Sequence, residues 1–116
     1  MKKYELILTE YDFEGRDEKG AKTITVNMKD ELSALMRVAG VYDSGIETCD
    51  GVDIVKQIKD AGDSLEVSES ELNLIKKVLD KLITHENFKL GGIRYEELIT
   101  RVFKAEEPKK KDKKNG

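Results

Sequence analysis

Residues 63–83 read DSLEVSESELNLIKKVLDKLI, and this stretch decides the fold. Ser68 is followed three residues on by Glu71, the capping-box spacing in which each side chain satisfies a backbone N–H of the other's residue. Val67 before the cap and Leu72 after the box occupy the positions of a hydrophobic staple. Behind them Leu72, Ile75, Val78, Leu79 and Leu82 recur at helical spacing. The pattern predicts an amphipathic helix from Ser68 to Ile83 with a sharp start and one apolar face that needs partners.

Moving outward, Tyr4, Leu6 and Leu8 alternate with Glu5, Ile7 and Thr9 at strand period. The polar run EGRDEKG, bounded by Gly15 and Gly20, reads as a charged turn, and AKTITVNM as a second, β-branched strand. The two strands are expected to form an antiparallel hairpin with a long loop, extended by Tyr11 and Phe13. Asn27 can cap a helix from Met28, with Leu32, Leu35, Met36 and Ala39 as its apolar stripe and Gly40 as its stop. VYDSGIETCDG reads as irregular. Val52, Val55 and Ile58, with Ile54 beside them, define a second helix ended by Gly62. After the capped helix, Gly91–Gly92 precedes a fourth, with Tyr95, Leu98, Val102 and one of Ile99 or Phe103 inward. The expected class is α+β: an N-terminal antiparallel β-hairpin packed against a bundle of about four short helices. Ile7, Ile54, Leu74 and Phe88 fall off the stripes, and clustered on one surface they would mark an interface.

A chain of 116 residues holds one domain. That domain is expected over residues 1–104, with residues 105–116 (AEEPKKKDKKNG) a disordered lysine-rich tail. Charged residues make up 39% of the chain, against the usual quarter or so. The net charge of −3 divides into +2 for the tail and −5 for the body. From Asp43 to Glu71 nine carboxylates face only Lys56 and Lys59. Such a body lacks the basic footprint of a nucleic-acid-binding domain. A single cysteine, Cys49, excludes an intramolecular disulfide framework. The N-terminal MKKYELILTE has no secretory apolar core, and no segment approaches the ~20 apolar residues of a membrane span. The expectation is a cytoplasmic protein.

Residues able to carry chemistry are few. His85 is the sole histidine and lacks the second histidine of a zinc helix. Cys49 with His85 as its base would make a thiol nucleophile, but a small half-buried cysteine and a surface histidine account for both residues. No glycines stand in phosphate-loop order, and Gly91–Gly92 before a helix is ordinarily a tight turn. Asp50 with Asp53, or Asp60 with Asp63, could converge on a cation, yet no segment has the EF-hand order. Lys76, Lys77 and Lys81 are placed together on the outer face of the capped helix. No cofactor or metal is expected.

The succession DELSALM, DIVKQIKDAGDSLEVSESELNLIKKVLDKL and GGIRYEELITRVF, over Met28 to Phe103, resembles small accessory proteins encoded in bacteriophage and prophage genomes. What the resemblance implies is a phage-type accessory protein, in the host cytoplasm, with no enzymatic chemistry and no functional residues to transfer. The leading expectation is therefore a non-enzymatic protein–protein interaction module, a phage accessory or assembly factor. Its expected surfaces are the hairpin edge, through which it could form a homo-oligomer, and an acidic surface of Asp43, Glu47, Asp50, Asp53, Asp60, Asp63 and Glu66. One alternative is an acidic inhibitor that occupies the cleft of a nucleic-acid-binding protein; the other is a small enzyme using Cys49.

Overall fold

A computed structural model of the chain describes residues 2–38, 40–84 and 93–108. In order, they form β1 (Lys3–Ile7), β2 (Tyr11–Asp17), β3 (Gly20–Val26), α1 (Met28–Leu35), α2 (Gly45–Asp60), β4 (Ser64–Ser68), α3 (Glu69–Thr84) and α4 (Ile93–Phe103). The architecture is α+β, with two antiparallel strand pairs packed against the helices.

The capped helix forms as its sequence dictates. The Glu71 amide donates to Ser68 Oγ at 3.2 Å and the Ser68 amide to Glu71 Oε1 at 2.8 Å. Leu72, Ile75, Val78, Leu79 and Leu82 are all buried, and so is Val67. Burial of each such side chain contributes about 1.5–3 kcal/mol. The residues before the cap are not a loop, however. Ser64–Ser68 is a strand that runs straight into α3 and pairs antiparallel with β1, from Lys3 opposite Ser68 to Ile7 opposite Ser64. Tyr4 and Leu6 thereby meet Val67 and Leu65 on the inward face, and the Leu8 amide continues the ladder onto Asp63 O at 2.7 Å.

This pairing corrects the expected hairpin of the first two strands. The N-terminal strand takes its partner from far along the chain, and the hairpin is made of β2 and β3, joined by the two residues Glu18 and Lys19. The run EGRDEKG is mostly strand because its polar face is satisfied across the ribbon. Thr23 donates to Glu14 at 2.8 Å and Thr25 to Asp12 at 2.7 Å. On the other face Tyr11 stands opposite Val26 and Phe13 opposite Ile24. Gly20, at φ +111°, follows the two turn residues and opens β3 in a conformation that glycine adopts without strain.

The free edge of β1 is covered from within the chain. The Glu5 amide donates to Glu106 O at 2.8 Å, and Arg101 Nη1 donates to Thr9 O at 2.6 Å while its guanidinium lies 5.3 Å from the Tyr11 ring centroid. Ala105 packs on the core and Glu106 bridges β1, so residues 105–108 differ from the solvated tail expected there. Residues 109–116 lie outside the described residues.

α1 starts at its expected cap, with the Asp30 amide donating to Asn27 Oδ1 at 3.1 Å. It ends at Leu35, ahead of the expected stop at Gly40, whose φ of +85° lies in the turn beyond. Ala39 is outside the described residues. α2 begins seven residues before Val52, inside the segment read as irregular. The reason is a second cap: the Glu47 amide donates to Ser44 Oγ at 3.1 Å, and the Glu47 carboxylate accepts the Asp43 amide at 3.1 Å. The core face of α2 is Gly51, Ile54, Val55 and Ile58, while Val52, expected inward, is 48% exposed. Of the off-stripe residues, Ile54 is core, Leu74 is half-buried, Ile7 is exposed and Phe88 lies outside the described residues, so those described do not form one surface.

Gly51 sits where the Tyr42 ring crosses α2, and a Cβ there would stand 2.1 Å from Tyr42 Oη and 2.3 Å from its ring carbon Cζ. Tyr42 cannot withdraw without losing the 2.7 Å hydrogen bond from its hydroxyl to Met36 O. In an open helix Gly→Ala gains up to about 1 kcal/mol; here Gly51→Ala is expected to cost about 1–3 kcal/mol by overpacking. In a Tyr42→Ala background the same substitution should become stabilising, which urea denaturation of the four proteins of the cycle measures. Ser33 is buried in α1, and its Oγ has no hydrogen-bond partner among the described residues. Ser33→Ala is expected to raise stability by about 1 kcal/mol in the same assay.

Candidate functional site

The acidic residues singled out from sequence fall into three groups, set by how α2 lies on α3. The two helices run antiparallel, with Gln57 Nε2 donating to Glu71 Oε2 at 3.1 Å near one end and Glu47 against Lys77 near the other. At that second end, Lys77 Nζ is 2.8 Å from Asp43 and 2.6 Å from Glu47, and Lys81 Nζ also pairs with Asp43. Lys77 and Lys81 thus reach the start of α2, while with Lys76 and the intervening Asp80 they also line one open surface of α3. The hydrogen bonds from Lys77 and then Lys81 hold the Asp43 carboxyl down at about 2. The bond from Lys77, followed by the Asp43 amide, lowers Glu47, and Asp43 and Glu47 in turn raise Lys77. Burial pushes Glu71 upward, but its bonds from Ser68 and Gln57 outweigh this and leave it lowered. Asp43 and Glu47 are therefore committed to the fold.

Asp50 and Asp53 form the second group. Both are exposed on the flank of α2 and, with Glu47, Ser68, Glu71 and Asn73, line a polar cleft of about 590 Å³ between α2 and α3. Neither has a hydrogen-bond or ion-pair partner among the described residues. Asp60, Asp63 and Glu66 make up the third group, distributed over the end of α2, the following turn and β4, where Glu66 stands opposite Glu5. The acidic stretch of the sequence is thus not one surface. The chain turns at Ala61–Asp63 and carries its second half back along β1.

The residues considered for catalysis are not assembled in the described structure. Cys49 is free and exposed on α2, and its prospective partner His85 lies outside the described residues, as does Gly91–Gly92. Among the described residues, no group of three or more His, Cys, Asp or Glu side chains is placed to hold a metal ion. No helix of the described residues is long and apolar enough to cross a membrane.

The opposite flank of α2 carries a feature that the sequence reading missed. A second cleft, also about 590 Å³, lies between α2 and the chain leaving α1. Its apolar lining is Met36, Val38, Tyr42, Val52 and Val55, and Arg37, Lys56 and Lys59 stand at its rim. These three cations are exposed and have no ion-pair or hydrogen-bond partner among the described residues, unlike Lys77, Lys81, Arg94 and Arg101. At 100° per residue, the acidic set Glu47, Asp50 and Asp53 and the set Thr48, Val52 and Lys59 centre roughly 180° apart on the helix. α2 therefore separates an acidic cleft from an apolar cleft with a basic rim. The signal was present in the sequence as Thr48, Val52, Val55 and Lys59, but Val52 and Val55 fit a core stripe equally well.

No protein-family model, curated protein or solved structure matches this chain.

The ion cluster fixes a pH dependence. A carboxyl held at about 2, below its ordinary value of 3.8, adds stability that is complete above the ordinary value and lost as pH falls toward 2. Carboxyl-detected NMR should place the Asp43 midpoint near 2, and Lys77→Met should return it toward the ordinary aspartate value. The acid limb of a stability–pH curve should lie higher in the wild type than in Asp43→Asn above about pH 4, and the difference should shrink as pH falls and vanish only below about pH 2.

Proposed function

We propose that this chain is a non-enzymatic protein–protein interaction module that works as an accessory factor of the phage type its sequence resembles. The observation that supports this reading is the exposure of α2. One face of the helix is built into the core, while both flanks line open clefts, of opposite charge. Ile46, 76% exposed, and Val52 add apolar surface on the solvent side of the same helix. Charged flanks around an apolar contact are a common arrangement for partner choice, because charge selects and steers while apolar burial supplies affinity.

The free edges support a narrower role for the strands. β1 is covered by Glu106 and Arg101, which leaves the outer edges of β2, β3 and β4 without strand partners among the described residues. Thr23, Thr25 and Lys22 give β3 a polar, charged edge of the kind that resists strand addition. α2 is for that reason the recognition element, ahead of the hairpin edge.

Two surface variants test the proposal: Asp50→Lys with Asp53→Lys on the acidic flank, and Val52→Asp with Lys56→Glu on the other. Each leaves the core of α2 intact and should melt like the wild type by circular dichroism. Immobilised wild-type protein should capture one or more host proteins stoichiometrically, and at least one of the two variants should lose that capture. Identical capture by all three proteins would count decisively against a module that recognises through α2.

A further inference from the structure

The cleft between α2 and the chain leaving α1 has the shape and chemistry of a site for one further helix. Thr48, Val52, Val55 and Lys59 follow one another at steps of four, three and four, the repeat of a two-helix seam. Such a stripe normally faces a partner helix. Here α3 meets α2 through Glu47 and Gln57, outside this stripe, and Val52 is left 48% exposed in the seam. From Thr48 to Lys59 the seam runs about 16 Å along the helix axis, enough for three turns of a partner. Met36, Val38 and Tyr42 form the far wall of this cleft.

The charge of the rim decides what can lie there. Arg37, Lys56 and Lys59 are unpaired among the described residues and stand around an apolar floor in a chain of net charge −3. The chain's own lysine-rich residues 109–116 have the wrong sign to fill this cleft. A second copy of α2 would bring its own Lys56 and Lys59 beside the rim. An apolar stripe flanked by carboxylates satisfies both halves of the surface at once, with long lysine stems covering apolar area while their ammonium groups meet the acids.

Resting on the interaction-module reading, we infer that this cleft binds an acidic amphipathic helix of a partner protein, with its apolar stripe against Val52, Val38 and Tyr42 and its carboxylates toward Arg37, Lys56 and Lys59. Helix-in-groove docking of this kind takes its affinity from a few apolar anchors and its choice of partner from the flanking charges.

The test uses two synthetic helical peptides about three turns long. Both carry the same leucine stripe at seam spacing, one flanked by glutamates and the other by lysines. The glutamate peptide should bind the full chain saturably and shift the backbone amides of Met36, Arg37, Tyr42 and residues 48–59. Binding should weaken about tenfold or more in Lys56→Glu with Lys59→Glu, and that variant should now prefer the lysine peptide. Raising salt from about 0.05 to 0.5 M should weaken the wild-type complex, since the rim charges are exposed. Equal affinity for the two peptides, or amide shifts confined to the α2–α3 cleft, would overturn the inference. So would binding of anionic phosphatidylglycerol vesicles by a protein that binds neither peptide, or self-association abolished by Val52→Asp. The two readings fail separately: host capture lost only in the Asp50→Lys, Asp53→Lys variant would overturn this inference and leave an interaction module whose partner sits in the other cleft, whereas identical capture by all the proteins would count against the module itself.

Discussion

The pairing of β1 with β4 is the constraint from which the rest of the structure follows. β4 passes into α3 with no intervening residue, so the register of Lys3 opposite Ser68 also sets the rotational phase of the longest apolar helix face. A slip of one residue would turn Leu6 and Val67 outward and move every side chain of the pair to the wrong face. The capping box sits at that junction. Glu71 secures the Ser68 amide and accepts from Gln57, so one carboxylate ties together the strand end, the start of α3 and the neighbouring helix α2. α4 then closes the other side, with Arg101 on the carbonyls that leave β1 and the Tyr11 hydroxyl on Arg94 O at 2.7 Å.

Electrostatics in this fold is divided between joining elements and leaving them available. Asp43, Glu47, Lys77 and Lys81 hold the start of α2 to α3, and Arg94 joins α4 to α1 through Glu31 at 2.6 Å. Exposed pairs of this kind each contribute little to stability, but a network anchored on helices can fix orientation. Asp50 and Asp53 remain open on one side of α2, and Arg37, Lys56 and Lys59 on the other. The charge density of the sequence thus resolves into one structural cluster and two surfaces of opposite sign.

Local signals were legible where a few neighbouring residues suffice to specify the outcome. The capped helix, the Asn27 cap, the inward positions of α4 and the alternation of β1 all rest on contacts within a few residues, and each appears in the structure. Strand partners were not legible in that way. Tyr4 and Leu6 suit Val67 and Leu65 as well as they suit any apolar strand, and nothing local marks a partner some sixty residues away. The early start of α2 was concealed by Gly45 and Gly51, which read as loop residues. Yet Gly51 lies in the helix because the Tyr42 ring occupies the place of a side chain there.

The candidate surfaces divide along the same line. The sequence by itself determined that the chain is α+β, where its best-defined helix starts, and that its middle is densely charged, because caps, periodicity and composition are properties of short segments. Only the tertiary structure decided which charges are available. Asp43 and Glu47 are neutralised by lysines thirty or more residues away, while Lys56 and Lys59, a minority among carboxylates in the sequence, stand together with Arg37 around an apolar cleft. The physical reason is that a core claims one face of each helix, and which face it claims depends on elements remote in sequence. By taking Gly51, Ile54, Val55 and Ile58 for the interior, the fold left Val52 and its flanking cations facing outward.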